Sequence, residues 1–164
     1  MRKFFLLLFC VILLCNCSKN TTVKPHTQNL EFMVTAKIKK QEYIFKARSD
    51  NNSSLCLTLQ KPENLKGLTL NFTDENCELE FLEIKKEFPF ENFEKESPIK
   101  IFYDGFLKAV NTENLGLSDD QYYFDYRLED NKFRFHFSQS GLPLSIIGQN
   151  NDIKIIISSL KILN

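Results

Sequence analysis

The residues in this chain that could do chemistry are few, and their spacing keeps them apart. Nucleophilic catalysis needs a Ser or Cys beside a positioned base, and 164 residues contain only two histidines. His26 lies in a polar stretch near the N-terminus. His136 stands between Phe135 and Phe137, which turns it to the outer face of a strand. Without a His base, the serines read as surface and turn residues. Glu78 and Glu80 sit two apart, on one face of a strand. Such a pair suits general acid–base work, but alternating Glu on a solvated sheet face accounts for it more simply. Five scattered glycines form no phosphate loop. There is no Cys-x-x-Cys and no Cys/His grouping, so no metal site is expected. These absences predict no catalytic residue, no cofactor and no enzymatic activity.

The charge balance is equally neutral about partners. Removing Arg2 and Lys3 takes 21 basic residues to 19, against 21 acidic ones, a net of −2. No basic stripe or finger motif points to nucleic acid. With 43% hydrophobic residues, a packed core is feasible.

The N-terminus carries a definite signal. Met1-Arg2-Lys3 is a short positive start, and Phe4 to Cys15 is an uncharged apolar run of 12 residues. A membrane span needs about 20; a run of this length matches the core of a signal peptide. Leu14-Cys15-Asn16-Cys17 then resembles a bacterial lipobox, with an aliphatic residue three before the Cys to be acylated. Asn16 stands where Gly or Ala is usual, and Cys15 is a second candidate, though bulky Leu14 would then fill the small-residue position. The expected division is 1–16 signal peptide, 17–30 lipidated N-terminus and flexible tether, and 31–164 folded domain. Of five cysteines, Cys56 and Cys77 remain in that domain. Strand alternation sends Cys56 outward and Cys77 inward, which opposes a disulfide because its Cβ atoms must lie about 4 Å apart. The formal sequons at Asn51, Asn52 and Asn71 read as chance in an Asn-rich chain.

The domain reads as strands around one helix. Phe32, Val34, Ala36 and Ile38 alternate with polar neighbours; Tyr43, Phe45 and Ala47 follow after a short turn. Leu55, Leu57 and Leu59 mark a third strand, which Lys61-Pro62-Glu63-Asn64 breaks. Leu68, Leu70 and Phe72 mark a fourth, and Cys77, Leu79 and Phe81 a fifth. Glu83 to Glu96 reads as a charged, Phe-punctuated connection, with a flap over a cavity mouth as the sharper alternative. Ser97-Pro98 opens a helix. Its apolar stripe is Ile99, Phe102, Tyr103, Phe106, Leu107 and Val110. Gly105 inside it costs about 1 kcal/mol relative to Ala and suggests close approach to the sheet. A polar connection from Asn111 to Asp120 leads to four more strands, 122–128, 132–138, 144–148 and 153–158. Their inward sets are Tyr122/Phe124/Tyr126/Leu128, Phe133/Phe135/Phe137, Leu144/Ile146 and Ile153/Ile155/Ile157. The fold class is α+β, mostly β: a curved antiparallel sheet, an open half-barrel, covered by one main amphipathic helix.

That order resembles the LolA/LolB-like lipoprotein family, which includes LppX-type mycobacterial lipoproteins and uncharacterised clostridial members. Lys61-Pro62-Glu63-Asn64-Leu65-Lys66-Gly67-Leu68-Thr69-Leu70-Asn71-Phe72 looks like a Ser-Pro-x-x-Leu-x-Gly-hydrophobic stretch of the clostridial proteins, with Lys61 replacing Ser. Gly141-Leu142-Pro143-Leu144-Ser145-Ile146 looks like their penultimate strand. Phe81-Leu82-Glu83-Ile84 lacks the Gly of their Tyr-x-Gly-Leu. The resemblance implies an acyl chain or other apolar ligand held in the half-barrel. The expected lining is Leu68, Leu70, Phe72, Leu79 and Phe81 on the sheet, with Phe102 and Phe106 on the helix. The implied place is the extracytoplasmic face of the bacterial cell membrane, with the membrane as partner through the lipid on Cys17. The other reading is a non-enzymatic surface lipoprotein, structural or interacting, whose interior is a filled core.

The anchor has a direct check. Cys17→Ala is expected to release the protein from the membrane or to block its processing. A variant that fractionates like the wild type, with no acyl group found by mass spectrometry, would remove the lipid anchor.

Overall fold

A computed structural model describes residues 23–38, 40–50, 54–73, 76–94, 97–113, 115–149 and 153–163. The expected signal peptide, Cys17 and the first part of the expected tether lie outside them. The chain runs β1 (Leu30–Ile38), β2 (Gln41–Ser49), β3 (Leu55–Lys61), β4 (Thr69–Thr73), β5 (Asn76–Phe81) and β6 (Ile84–Pro89). Then come α1 (Pro98–Val110), β7 (Gly116–Ser118), β8 (Gln121–Leu128), β9 (Asn131–Phe137), β10 (Pro143–Gly148) and β11 (Ile153–Ile162). All the strands join one antiparallel sheet in the order β6-β5-β4-β3-β2-β1-β11-β10-β9-β8-β7. The first and last strands therefore meet in the middle, and two meandering arms extend from them. α1 is the crossover from one edge of the sheet to the other.

The alternation that predicts the strands also sets their faces. Leu30, Phe32, Val34 and Ala36 are buried on β1, Phe45 and Ala47 on β2, and Leu55, Leu57 and Leu59 on β3. Phe133, Phe135 and Phe137 line the same side of β9. The sheet is curled around α1. Tyr103 stacks on Phe72 of β4 with ring centroids 4.2 Å apart, while the Tyr126 hydroxyl of β8 donates to the Ile101 carbonyl at 3.0 Å. β4 and β8 are seven strand spacings apart in the sheet order, about 34 Å if flat at about 4.8 Å each. Both reach the same part of a helix only about 10–12 Å across.

Several elements differ from expectation. β6 lies within the stretch read as a charged connection, and β7 within the polar one. Neither shows alternation, because no residue in either is fully buried. In β10 the register shifts between Pro143 and Ser145, leaving Leu144 as an extra residue. Pro143 therefore takes the inward place expected for Leu144. β11 runs to Ile162, past a register shift opposite Glu31 and Met33. The polar stretch read as a tether is bonded to the domain from Val23 onward. His26 N–H donates to Gly141 O at 2.7 Å, and Leu115 N–H to Val23 O at 3.3 Å. A Cβ on Gly141 would lie 2.2 Å from Lys24 O, so this close approach requires glycine.

α1 begins where Ser97-Pro98 places it, with Pro98 at the first helical position and Ile101 N–H donating to Ser97 O at 3.0 Å. The Ser97 hydroxyl makes no capping bond. At the other end Asn111 Nδ2 and Thr112 Oγ1 donate to the carbonyls of Leu107 and Lys108. Ile101, Gly105 and Ala109 are buried along with Phe102, Tyr103 and Phe106, whereas Ile99, Leu107 and Val110 are half-buried flanks. Gly105 is the point of closest approach. A Cβ there would stand 2.7 Å from Tyr126 Oη and 3.2 Å from Ile146 Cδ1.

Two consequences are measurable. Gly105→Ala gains about 1 kcal/mol of helix propensity, but overpacking against a buried ring costs about 1–3 kcal/mol. A net loss of stability is expected in urea unfolding, partly recovered by Tyr126→Phe, which removes the nearest clashing atom; a stabilised Gly105→Ala would show that the helix seat is loose. The cysteines are free and on opposite faces, Cys56 half-buried and Cys77 fully buried. Burial, helped by Glu78, pushes the Cys77 thiol up to about 12, so near neutral pH it lacks the thiolate that alkylation requires. Peptide-level alkylation without reductant is expected to label Cys56 in the native protein and Cys77 only after denaturation. A reductant requirement for either would point to a disulfide instead.

Candidate functional site

The interior between sheet and helix is built almost wholly from apolar side chains. Among the described residues, Thr27 and Ser49 are the buried polar ones, and Ser49 Oγ is used, accepting from Leu30 N–H at 3.1 Å. The ionisable groups that reach the core are Cys77, Tyr103 and Tyr126. Burial, with Asp104 nearby, drives the Tyr126 hydroxyl well above its ordinary value, so it remains a neutral hydrogen-bond donor. Such an interior excludes water. Among the described residues, no carboxylate or imidazole is buried in it.

The expected lining residues are all on the structure, but they do not form one group. Leu70, Phe72, Phe102 and Phe106 are at most 1% exposed. Leu68 and Leu79 are half-buried and pack against that core. Phe81 is half-buried at the end of β5, outside the packed cluster. The expected lining groups Phe102 and Phe106 with residues of β4 and β5. Instead Phe102 meets Phe32 and Phe45 at 6.0 and 5.6 Å between centroids, and Phe106 lies 6.3 Å from Phe32. Phe72 is met by Tyr103, with Phe90 and Phe93 each at 5.8 Å. Burial of Ile101 and Gly105 sets the helix between the arms and sends Phe102 and Phe106 to the central strands. Phe88, Phe90 and Phe93 also join the interior. The Phe punctuation of the charged stretch was the signal for them, masked by the surrounding Glu and Lys.

The outer face carries the charges. Glu78 and Glu80 share Lys85 on the neighbouring strand, at 3.0 and 4.0 Å. The bond from Lys85 holds the Glu78 carboxyl below the usual range, the opposite of what a general acid needs. On the other arm Arg134 forks onto Asp125, Nε to Oδ1 at 2.7 Å and Nη2 to Oδ2 at 2.8 Å. His136 lies beside them on the outer face, as its place between Phe135 and Phe137 predicts. Burial, then Arg134, lowers its ring pKa, against the pull of Asp125. Among the described residues no three His, Cys, Asp or Glu side chains converge as metal ligands, and no helix is long and apolar enough to cross a membrane.

No family model matches the chain, and no curated protein matches it. Among solved structures it is similar to an uncharacterized conserved protein from Thermus thermophilus. That likeness has a TM-score of 0.54 and 11% identity over 84% of this chain and 80% of the other. A LolA superfamily protein from Nitrosomonas europaea is also matched, at a TM-score of 0.46 and 7% identity, over 87% of this chain and 89% of that one. The first likeness is one of fold; among the described residues that fold is an open, curved antiparallel sheet with one α-helix, α1, in its concavity.

Proposed function

We propose that this chain is a non-catalytic lipoprotein, held through Cys17 on the extracytoplasmic face of the bacterial cell membrane, and that its half-barrel receives the apolar chain of a lipid or a similar ligand between helix and sheet. One observation carries the ligand part. The concave face is apolar from Phe72 on β4 to Phe137 on β9, and α1 covers it as a single separate element. Withdrawal of one helix would open a lining able to take hydrocarbon, at about 25 cal/mol per Å² buried. The resemblance of residues 61–72 to clostridial lipoproteins supports the anchor and the ligand class together. A second reading, a structural or interacting lipoprotein with a filled core, is favoured by the packing of the rings. Phe32, Phe72, Phe102 and Phe106 are all at most 1% exposed.

Phe106→Ala separates the two. In a filled core its loss is expected to cost about 3–5 kcal/mol and to leave no binding to change. In a ligand-receiving interior the cost is smaller, and the affinity of lipid-stripped protein for a fluorescent fatty acid changes. Saturable binding of that probe by the wild type is the expected result. Its absence, together with the full core penalty, would leave the structural reading standing.

A further inference from the structure

The outer face of the second arm carries a groove that the apolar interior does not explain. Alternation sends Asp125 and Arg127 of β8, and Lys132, Arg134 and His136 of β9, away from α1. With Gln149 just past β10, they line an open depression of about 500 Å³. Cross-strand register orders it, with Asp125 opposite Arg134 and Arg127 opposite Lys132.

Three features make this more than a solvated face. First, one wall is fixed. Arg134 is bonded twice to Asp125, and its guanidinium carbon lies 4.0 Å from the centroid of the Tyr123 ring. This fork neutralises the pair and still leaves guanidinium N–H groups to donate. Second, Arg127 and Lys132 are like charges set directly opposite each other, an arrangement that is destabilising in a sheet. Neither is among the ion pairs of the described residues; of the carboxylates near them in the hairpin, Asp125 is committed to Arg134, and Glu129 and Asp130 lie in the turn beyond the strands. An anion between Arg127 and Lys132 would remove that repulsion. Third, His136 Nδ1 is buried without a partner. A buried N–H left unpaired costs more than an unpaired lone pair, so the proton belongs on Nε2, the other ring nitrogen.

We propose that this groove binds a phosphate-type anion, free or as the headgroup of a larger molecule. Arg127 and Lys132 supply the charge, and Arg134, His136 Nε2 and Gln149 supply hydrogen bonds. The site lies on the opposite face of the sheet from the apolar interior and stands whether or not that interior takes a ligand.

His136 reports on the groove. His136 is surrounded by Asp125 and Tyr123 on β8, by Lys132 and Arg134 on β9, and by uncharged Ser145 and Ile147 on β10. An anion seated in the groove favours its protonated ring and raises its midpoint. In NMR titrations of the full chain in neutral detergent, sodium phosphate is expected to raise the His136 midpoint relative to sodium chloride of equal ionic strength. Arg127→Ala with Lys132→Ala is expected to weaken phosphate at least about tenfold, with a thermal midpoint in chloride that does not fall, since the like-charge repulsion is removed. Glycerol phosphate binding more tightly than inorganic phosphate would assign the site to a headgroup; equal or weaker binding would assign it to the free anion. A His136 midpoint that is the same in phosphate and in chloride, or a response that survives the double substitution, would overturn the site.

Discussion

The seating of one stretch of helix, Ile101 to Phe106, is the contact on which the rest of the structure depends. Tyr103 stacks on Phe72 of the first arm. Gly105 admits Tyr126 and Ile146 of the second, and Phe102 fills the space over Phe32 and Phe45 at the centre. Burying each such side chain is worth about 1.5–3 kcal/mol, so the two arms gain most by closing on the helix from both sides. That gain curls the sheet. The edges it leaves open are poor templates for pairing with another chain. β6 presents Lys85, Lys86 and Glu87, and β7 is only three residues long.

Polarity is divided accordingly. The ion pairs Glu31–Lys46, Glu78–Lys85 and Asp125–Arg134 all stand on the outer face. Exposed pairs of this kind contribute about 0–1 kcal/mol each, so they do not hold the fold together. They do fix register, since a one-residue slip would carry charge into the core and Phe or Leu into water. Among the described residues, no carboxylate or imidazole is buried in the interior. Polar recognition is left to the convex side, where Arg127, Lys132, Arg134 and His136 gather.

What could be read ahead of the structure followed the strength of local pattern. Phe32-Val34-Ala36 and Phe133-Phe135-Phe137 alternate because one face is buried and the other wet, and both faces came out as that rule requires. The same rule separated Cys56 from Cys77. Ser97-Pro98 and the 3.6-residue spacing after it placed the helix to the residue. β6 and β7 escaped because an edge strand with no buried face leaves no alternation to read. Leu144 was misplaced because a bulge shifts phase without a local marker.

The sequence by itself therefore determined the class of each strongly patterned element and which of its faces is wet. Those are properties of a few consecutive residues, set by period and by hydrophobicity. Only the tertiary structure decided that Phe102 answers to Phe32 and Phe45 while Tyr103 takes Phe72. It also decided that Val23 to Asn29 lies bonded along the domain, and that Arg127 faces Lys132 beside a forked Asp125–Arg134 pair. Each of these joins residues whose meeting depends on strand register and on the curl of the whole sheet. Helix and strand periods carry no information about which distant turn or ladder rung will arrive opposite.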